Sequence, residues 1–202
     1  MMQASGSELV LATTSRYRLE LMDRLGVPYR AMPHRCDERE TERAIEPAHA
    51  TDEAIALTLA KAKAESLAAL VPDAILLGSD QVVCIDGEIL GKPGSREGAR
   101  AQLARIEGRV HRIVTAVSLR TPDGTHRTHV DVHSMRMRAL DEAAIARYVD
   151  RDEPFDCAGA YRLEGLGIAL FEAIEGADHT AIVGLPLIAV VSLLASVGIR
   201  IP

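Results

Sequence analysis

The chain has 202 residues, 48% hydrophobic and 26% charged, a balance that argues against long disorder and leaves room for one domain with a substantial core. A net charge of −6 with four Tyr, two Phe and no Trp argues against a general nucleic-acid binder, which needs a basic face and usually aromatic platforms. A small polyanion is still a fitting ligand, because one opposite-charge pair at about 4 Å is worth roughly 4 kcal/mol at an effective dielectric near 20, so a few converging cations suffice.

In chain order, Met1–Glu8 lacks a basic stretch followed by an apolar run, so no secretory leader is expected. Leu9–Ala12 reads as a buried strand. Ser15 suits the N-cap of a helix with Leu19, Met22 and Leu25 on one face, stopped by Gly26 before Pro28. Tyr29 to Pro47 reads as irregular and highly charged. Thr51 or Asp52 caps a second helix ending near Leu70, before Pro72. Ile75–Leu77 and Val82–Ile85 are strand-like, separated by the turn-compatible Gly78-Ser79-Asp80-Gln81. Asp86-Gly87 marks a hairpin into Glu88–Leu90.

Ser95 caps a further helix that stops at Gly108. Val110–Leu119 and His126–Met137 read as two strands joined through Pro122-Asp123-Gly124, followed by a short helix over Asp141–Val149. Cys157–Tyr161 and Gly167–Phe171 are expected to be strands. Thr180–Ile199 carries no charge, but Gly184 and Pro186 interrupt it, leaving a buried helix from Pro186 to about Val197 that is too short to span a membrane. The alternation of helices and strands, with hairpins among them, predicts an α/β fold with a mixed sheet. Cys36, Cys84 and Cys157 fit no CxxC spacing and read as free, buried or half-buried thiols, which suits a reducing cytoplasm.

Four places carry chemistry. At Thr13-Thr14-Ser15-Arg16-Tyr17-Arg18 a strand runs into a helix N-terminus, where open N–H groups, hydroxyls and arginines suit a phosphate; a capped surface helix with solvated arginines is the alternative. Lys63 recurs at i+4 with Ile55, Leu59 and Leu67 on the apolar stripe of its helix, so its ammonium needs an anion or a snorkelling route, whereas Lys61 points elsewhere. Asp80 interrupts an apolar stretch and calls for a cleft, a cation or a metal, unless it is a turn residue. Gly91-Lys92-Pro93 offers another phosphate-facing Lys, although no Walker A spacing is present. His129, Asp131 and His133 share a strand face that reads as solvated rather than metal-binding, and Gly165-x-Gly167 is too short for a dinucleotide fingerprint.

The run Leu11-Ala12-Thr13-Thr14-Ser15-Arg16-Tyr17-Arg18-Leu19-Glu20-Leu21 resembles the N-terminal signature of the Maf proteins, which are nucleoside triphosphate pyrophosphatases. Asp37-Glu38, Ala60-Lys61-Ala62-Lys63-Ala64, Gly78-Ser79-Asp80-Gln81, Gly91-Lys92-Pro93, Ala158-Gly159-Ala160-Tyr161 and Val183-Gly184-Leu185-Pro186 follow in family order. The resemblance implies one elongated α/β domain over residues 1–202, with a mixed twisted sheet, two lobes and a central cleft. It also implies hydrolysis of a nucleotide to its monophosphate and pyrophosphate with a divalent cation, Mg²⁺ or Mn²⁺. By position, Asp80 is the proton acceptor, Ser15, Arg18, Glu38, Lys63 and Lys92 are partners for phosphates and metal, and Glu38 with Asp80 are the metal ligands. Arg16 stands where the family usually has Pro, a residue that would preorganise the first helical turn.

Tyr17, Gln81 and Glu164 are similar to the branch of 7-methyl-GTP pyrophosphatases, whereas dTTP- and UTP-directed members typically carry Arg, Thr and Gln there. The chemistry agrees: a cationic 7-methylguanine can stack on Tyr17, and Glu164 can accept from the guanine N1–H and N2–H₂ edge. The expected partner is thus a nucleotide, with no nucleic-acid polymer and no membrane, and a homodimer stays open. The rivals are a dTTP/UTP-type pyrophosphatase of the same family and a non-catalytic nucleotide-binding regulator of cell division.

Overall fold

The structure, a computed structural model, describes residues 7–46 and 50–202; most of the expected leaderless N-terminus, and Pro47, lie outside them. Among the described residues the strands form one seven-stranded mixed sheet, β1 (Leu9–Ala12), β2 (Arg30–Met32), β3 (Ile75–Ile85), β4 (Glu88–Leu90), β5 (Val110–Arg120), β6 (His126–Met137) and β7 (Phe171–Glu175). Their order is β2-β1-β3-β5-β6-β7, with β4 pairing β3. β1 pairs β2 and β3 in parallel, and β3–β4 and β6–β7 are antiparallel. The helices are α1 (Arg16–Asp23), α2 (Glu38–Arg43), α3 (Asp52–Glu65), α4 (Arg96–Ile106), α5 (Glu142–Asp152), α6 (His179–Val183) and α7 (Leu187–Ala195). The mixed α/β class is the one the alternation predicts.

The chain divides into two compact units. The first comprises residues up to Gln81, Thr115–Asp131 and Asp178–Pro202. Its sheet alternates strictly between two cores, as a period of two requires. Leu9, Leu11, Ile75 and Leu77 pack with Leu21 and Met22 of α1 and with Leu187, Val190 and Leu194 of α7. Val10, Ala12 and Leu76 pack on the other face with Ala64 and Leu67. Each fully buried Leu contributes roughly 2 kcal/mol by leaving water, so the two cores fix how α3 and α7 lie on the strands.

The second unit comprises Val82–Val114 and Val132–Ala177. It buries Leu103 and Ile106 of α4, Ile145 and Val149 of α5, and the rings of Tyr161 and Phe171. The Asp86-Gly87 turn has positive φ at both residues, 52° and 78°, as a two-residue hairpin needs. His111 lies among the aromatic rings, 1% exposed, with Nε2 2.8 Å from the Tyr161 hydroxyl.

Several sequence expectations are corrected. Gly78–Gln81 is no turn: β3 runs unbroken through it, because tertiary partners satisfy each polar side chain. The segment read as irregular holds β2 and α2, the latter capped by Asp37, whose carboxylate accepts from the Glu40 N–H at 3.0 Å. α3 ends at Glu65 rather than near Leu70, and α7 spans Leu187–Ala195 with the unforeseen α6 before it. The two stretches expected as strands form 3-10 turns at Ala158–Ala160 and Leu166–Leu170, and the strand is Phe171–Glu175. Gly159 and Ala160, at φ 77° and 59°, lie outside any strand conformation. Asp131 and His133 do not share a solvated face: they are 6% and 2% exposed, in register with buried Met135 and Met137, while His129 is exposed. No helix among the described residues is long and apolar enough to cross a membrane.

Candidate functional site

The site starts from an approach of backbones. A β-carbon on Gly78 would lie 2.3 Å from the Ala60 carbonyl oxygen, so α3 can rest on β3 here only over glycine. Ala60 and Ala64 keep that helix face thin, and Lys63 beside them is carried inward opposite Asp80. Lys63 is 4% exposed and Asp80 6%, and the ammonium lies 2.5 Å from Asp80 Oδ1 and 2.8 Å from Glu38 Oε1. Snorkelling is thereby set aside: the ammonium meets two carboxylates. Lys61, two residues away, is exposed.

Alternation along β3 divides the labour. Gly78 and Asp80 face α3, while Ser79 and Gln81 face the end of α6. Ser79 Oγ lies 2.9 Å from the carbonyls of both Ala116 and Gly184. Gln81 Nε2 lies 2.9 Å from Thr115 Oγ1 and from the carbonyls of Ala181 and Ile182. The Gln81 amide nitrogen is thus committed to the protein, and its side chain shapes α6.

Arg18 donates through Nε to the Gly184 carbonyl at 2.9 Å. Burial lowers its pKa, against the attraction of Asp80 and Glu38. Asp80 is shifted the other way: burial raises it, although Lys63 and Arg18 oppose the shift. The direction follows from the near-complete removal of the carboxylate from water, and it moves Asp80 toward a useful base. His34 Nε2 lies 3.4 Å from Glu38 Oε1, and its Nδ1 lies 3.3 Å from Cys36 Sγ. Burial and the Lys63 charge lower the His34 pKa, while burial, Asp80 and Glu38 raise that of Glu42.

Ser15 begins α1 as its N-cap, but its hydroxyl makes no capping bond; its N–H donates to Thr13 Oγ1 at 3.1 Å. The first turn of α1 therefore keeps N–H groups without a side-chain cap, a setting that suits an anion. Arg16 lies over the Tyr17 ring, 4.8 Å from guanidinium carbon to centroid.

Of the residues singled out from sequence, Arg18, Glu38, Lys63 and Asp80 come together in the first unit, with Ser15, Tyr17 and Gln81 in the same unit. Lys92 and Glu164 are exposed residues of the second unit. Sequence reading missed His34, Glu42, Ser79, Thr115 and the Gly184 carbonyl. Only Ser79 and Thr115 carried a signal, as hydroxyls inside apolar strands.

Among the described residues no group of three His, Cys, Asp or Glu side chains could hold a metal ion. Glu38 and Asp80 nevertheless converge on one cation, the Lys63 ammonium. Two carboxylates are the protein share that Mg²⁺ commonly takes, with water and phosphate oxygens completing its shell, so the residues fit that ion.

The chain is 45% identical over 194 residues to a 7-methyl-GTP pyrophosphatase of Xanthomonas campestris pv. campestris, covering 96% of this chain and 98% of that protein. It is 42% identical to a 7-methyl-GTP pyrophosphatase of Bordetella pertussis, covering 98% and 96%. A solved Ham1 protein of Staphylococcus aureus aligns at a TM-score of 0.45 with 16% identity, over 80% of this chain and 90% of that one, a distance at which no activity transfers. The Maf-like protein family matches residues 8–197. With nearly the whole chain matched and the signature residues Arg18, Lys63 and Asp80 gathered at one place, the protein belongs to the Maf family.

Proposed function

We propose that the protein is a nucleoside triphosphate pyrophosphatase that hydrolyses 7-methyl-GTP to 7-methyl-GMP and pyrophosphate. The observation that carries this reading is Asp80, a buried carboxylate bonded to Lys63 through Oδ1 and lying within the influence of Arg18. The names of relatives at 42–45% identity support the substrate.

Asp80 Oδ1 is engaged by the Lys63 ammonium, which leaves Oδ2 to accept a proton from water. That water attacks the α-phosphorus, the bond from phosphorus to the bridging oxygen breaks, and pyrophosphate leaves with the bond electrons. Arg18 and the first turn of α1, with the Ser15 hydroxyl, neutralise phosphate oxygens, and Lys63 holds Asp80 in place. Glu38 and Asp80 would hold Mg²⁺ or Mn²⁺, which supplies charge neutralisation on the phosphates. Tyr17 offers its ring to the methylated base, and Gln81 sets the adjoining α6 backbone. Lys92 as a further phosphate ligand and Glu164 as the acceptor for the guanine edge belong to the same proposal. Among the described residues the three cysteines form no disulfide, and a reducing compartment such as the cytoplasm belongs to the same proposal.

The test is a panel of 7-methyl-GTP, GTP, dTTP and UTP with pyrophosphate detection. Highest kcat/KM on 7-methyl-GTP is expected. Preference for a pyrimidine would defeat the Glu164 assignment, and binding without turnover under any divalent cation would favour a regulator.

A further inference from the structure

We propose that Asp178 is a positioning residue for Arg18: it fixes the turn whose Gly184 carbonyl holds the guanidinium in place. The inference rests on the reading that Arg18 binds phosphate.

Asp178 is 3% exposed, and three donors converge on its carboxylate. Oδ1 accepts from the Thr180 N–H at 2.9 Å and from the Thr180 hydroxyl at 2.6 Å. Oδ2 accepts from the Ile188 N–H at 2.8 Å, and Thr180 Oγ1 accepts from the Leu187 N–H at 2.9 Å. One acidic side chain thus ties the first turn of α6 to the first turn of α7. Between those ties the chain must cross through Gly184-Leu185-Pro186.

That crossing is built around Gly184, at φ 120° and ψ 6°, a conformation that favours glycine. Its N–H donates to the Ala181 carbonyl at 2.9 Å, and its own carbonyl receives Arg18 Nε and faces Ser79 Oγ, both at 2.9 Å. A β-carbon here would stand 3.4 Å from Arg18 Nε. Arg18 Nε is therefore spent on Gly184, and the terminal guanidinium nitrogens stay available for an anion.

The anchor matters because Arg18 is also drawn to Asp80 and Glu38. Released from Gly184, the guanidinium can fold onto those carboxylates, which removes a phosphate ligand and pairs off the base. Only a carboxylate suits position 178: an amide there would set its own N–H₂ against one of the converging donors.

The experiment is calorimetric binding of inorganic pyrophosphate to the unsubstituted chain, Asp178→Asn, Arg18→Lys and the double variant, with kcat and KM on 7-methyl-GTP alongside. Lys at 18 keeps the charge but cannot serve both the Gly184 carbonyl and a phosphate. Asp178→Asn is expected to weaken pyrophosphate binding about tenfold in the original background and less than about twofold beside Arg18→Lys, the non-additivity of residues acting through one another. Equal losses in both backgrounds, or no loss, would overturn the positioning role. If Asp178→Asn does not fold, Thr180→Val beside Thr180→Ser decides by the same criterion, with Ser retaining the hydroxyl and the binding. An unsubstituted chain that binds no pyrophosphate and turns over no nucleotide would overturn the proposed function itself, a result distinct from additivity.

Discussion

Gly78 of β3 lies against the backbone of Ala60 in α3, with room for a hydrogen but not a methyl group. A β-carbon would meet the Ala60 carbonyl oxygen at 2.3 Å and the Ala64 amide nitrogen at 2.7 Å. Neither obstacle is the end of a flexible side chain. Gly78→Ala must therefore move the helix, and with it Lys63. A loss of about 3 kcal/mol in urea unfolding is expected, with a fall in kcat in the folded fraction.

Lys63 and Asp80 form a buried pair at 2.5 Å. Removing only one charge strands the other in a medium that solvates it poorly. Lys63→Met is expected to cost about 3–5 kcal/mol, and adding Asp80→Asn should recover part of that loss, as denaturant unfolding of the single and the double variant would show.

Arg16 occupies the first position of α1, where Pro is well tolerated, and covers one side of the Tyr17 ring. Arg16→Pro is expected to keep the fold and to raise stability by about 0.4–1 kcal/mol. It also uncovers the ring, so a lower KM for 7-methyl-GTP is expected in steady-state kinetics.

How much of this was legible in the sequence differs from residue to residue. Lys63 was readable because its place on an apolar stripe is a helical periodicity, and the structure places it inward as that pattern demands. Asp80 was only half readable. Local propensity makes Gly-Ser-Asp-Gln a turn, whereas the strand continues because Ser79 and Gln81 find α6 carbonyls from far along the chain. Their polar side chains make Asp131 and His133 read as a solvated face, although their register with Met135 and Met137 marks the buried one. The Gly184 carbonyl was invisible in principle: a backbone oxygen carries no residue signature.

Burial of His111 lowers its pKa from 6.5 to about 4, so the folded chain resists a proton that the unfolded chain accepts. Its contribution is complete above the unfolded pKa and is lost as pH falls toward the folded one. Stability is expected to drop by about 2 kcal/mol between about pH 7 and pH 5, with a weaker drop for His111→Phe in urea unfolding.

Asp80 as the proton acceptor is tested most directly by pyrophosphate release from 7-methyl-GTP with Asp80→Asn beside the unsubstituted chain. A fall in kcat of about a hundredfold or more is expected, with nucleotide binding retained in calorimetry. Turnover at the unsubstituted rate would contradict the assignment of Asp80 as the base.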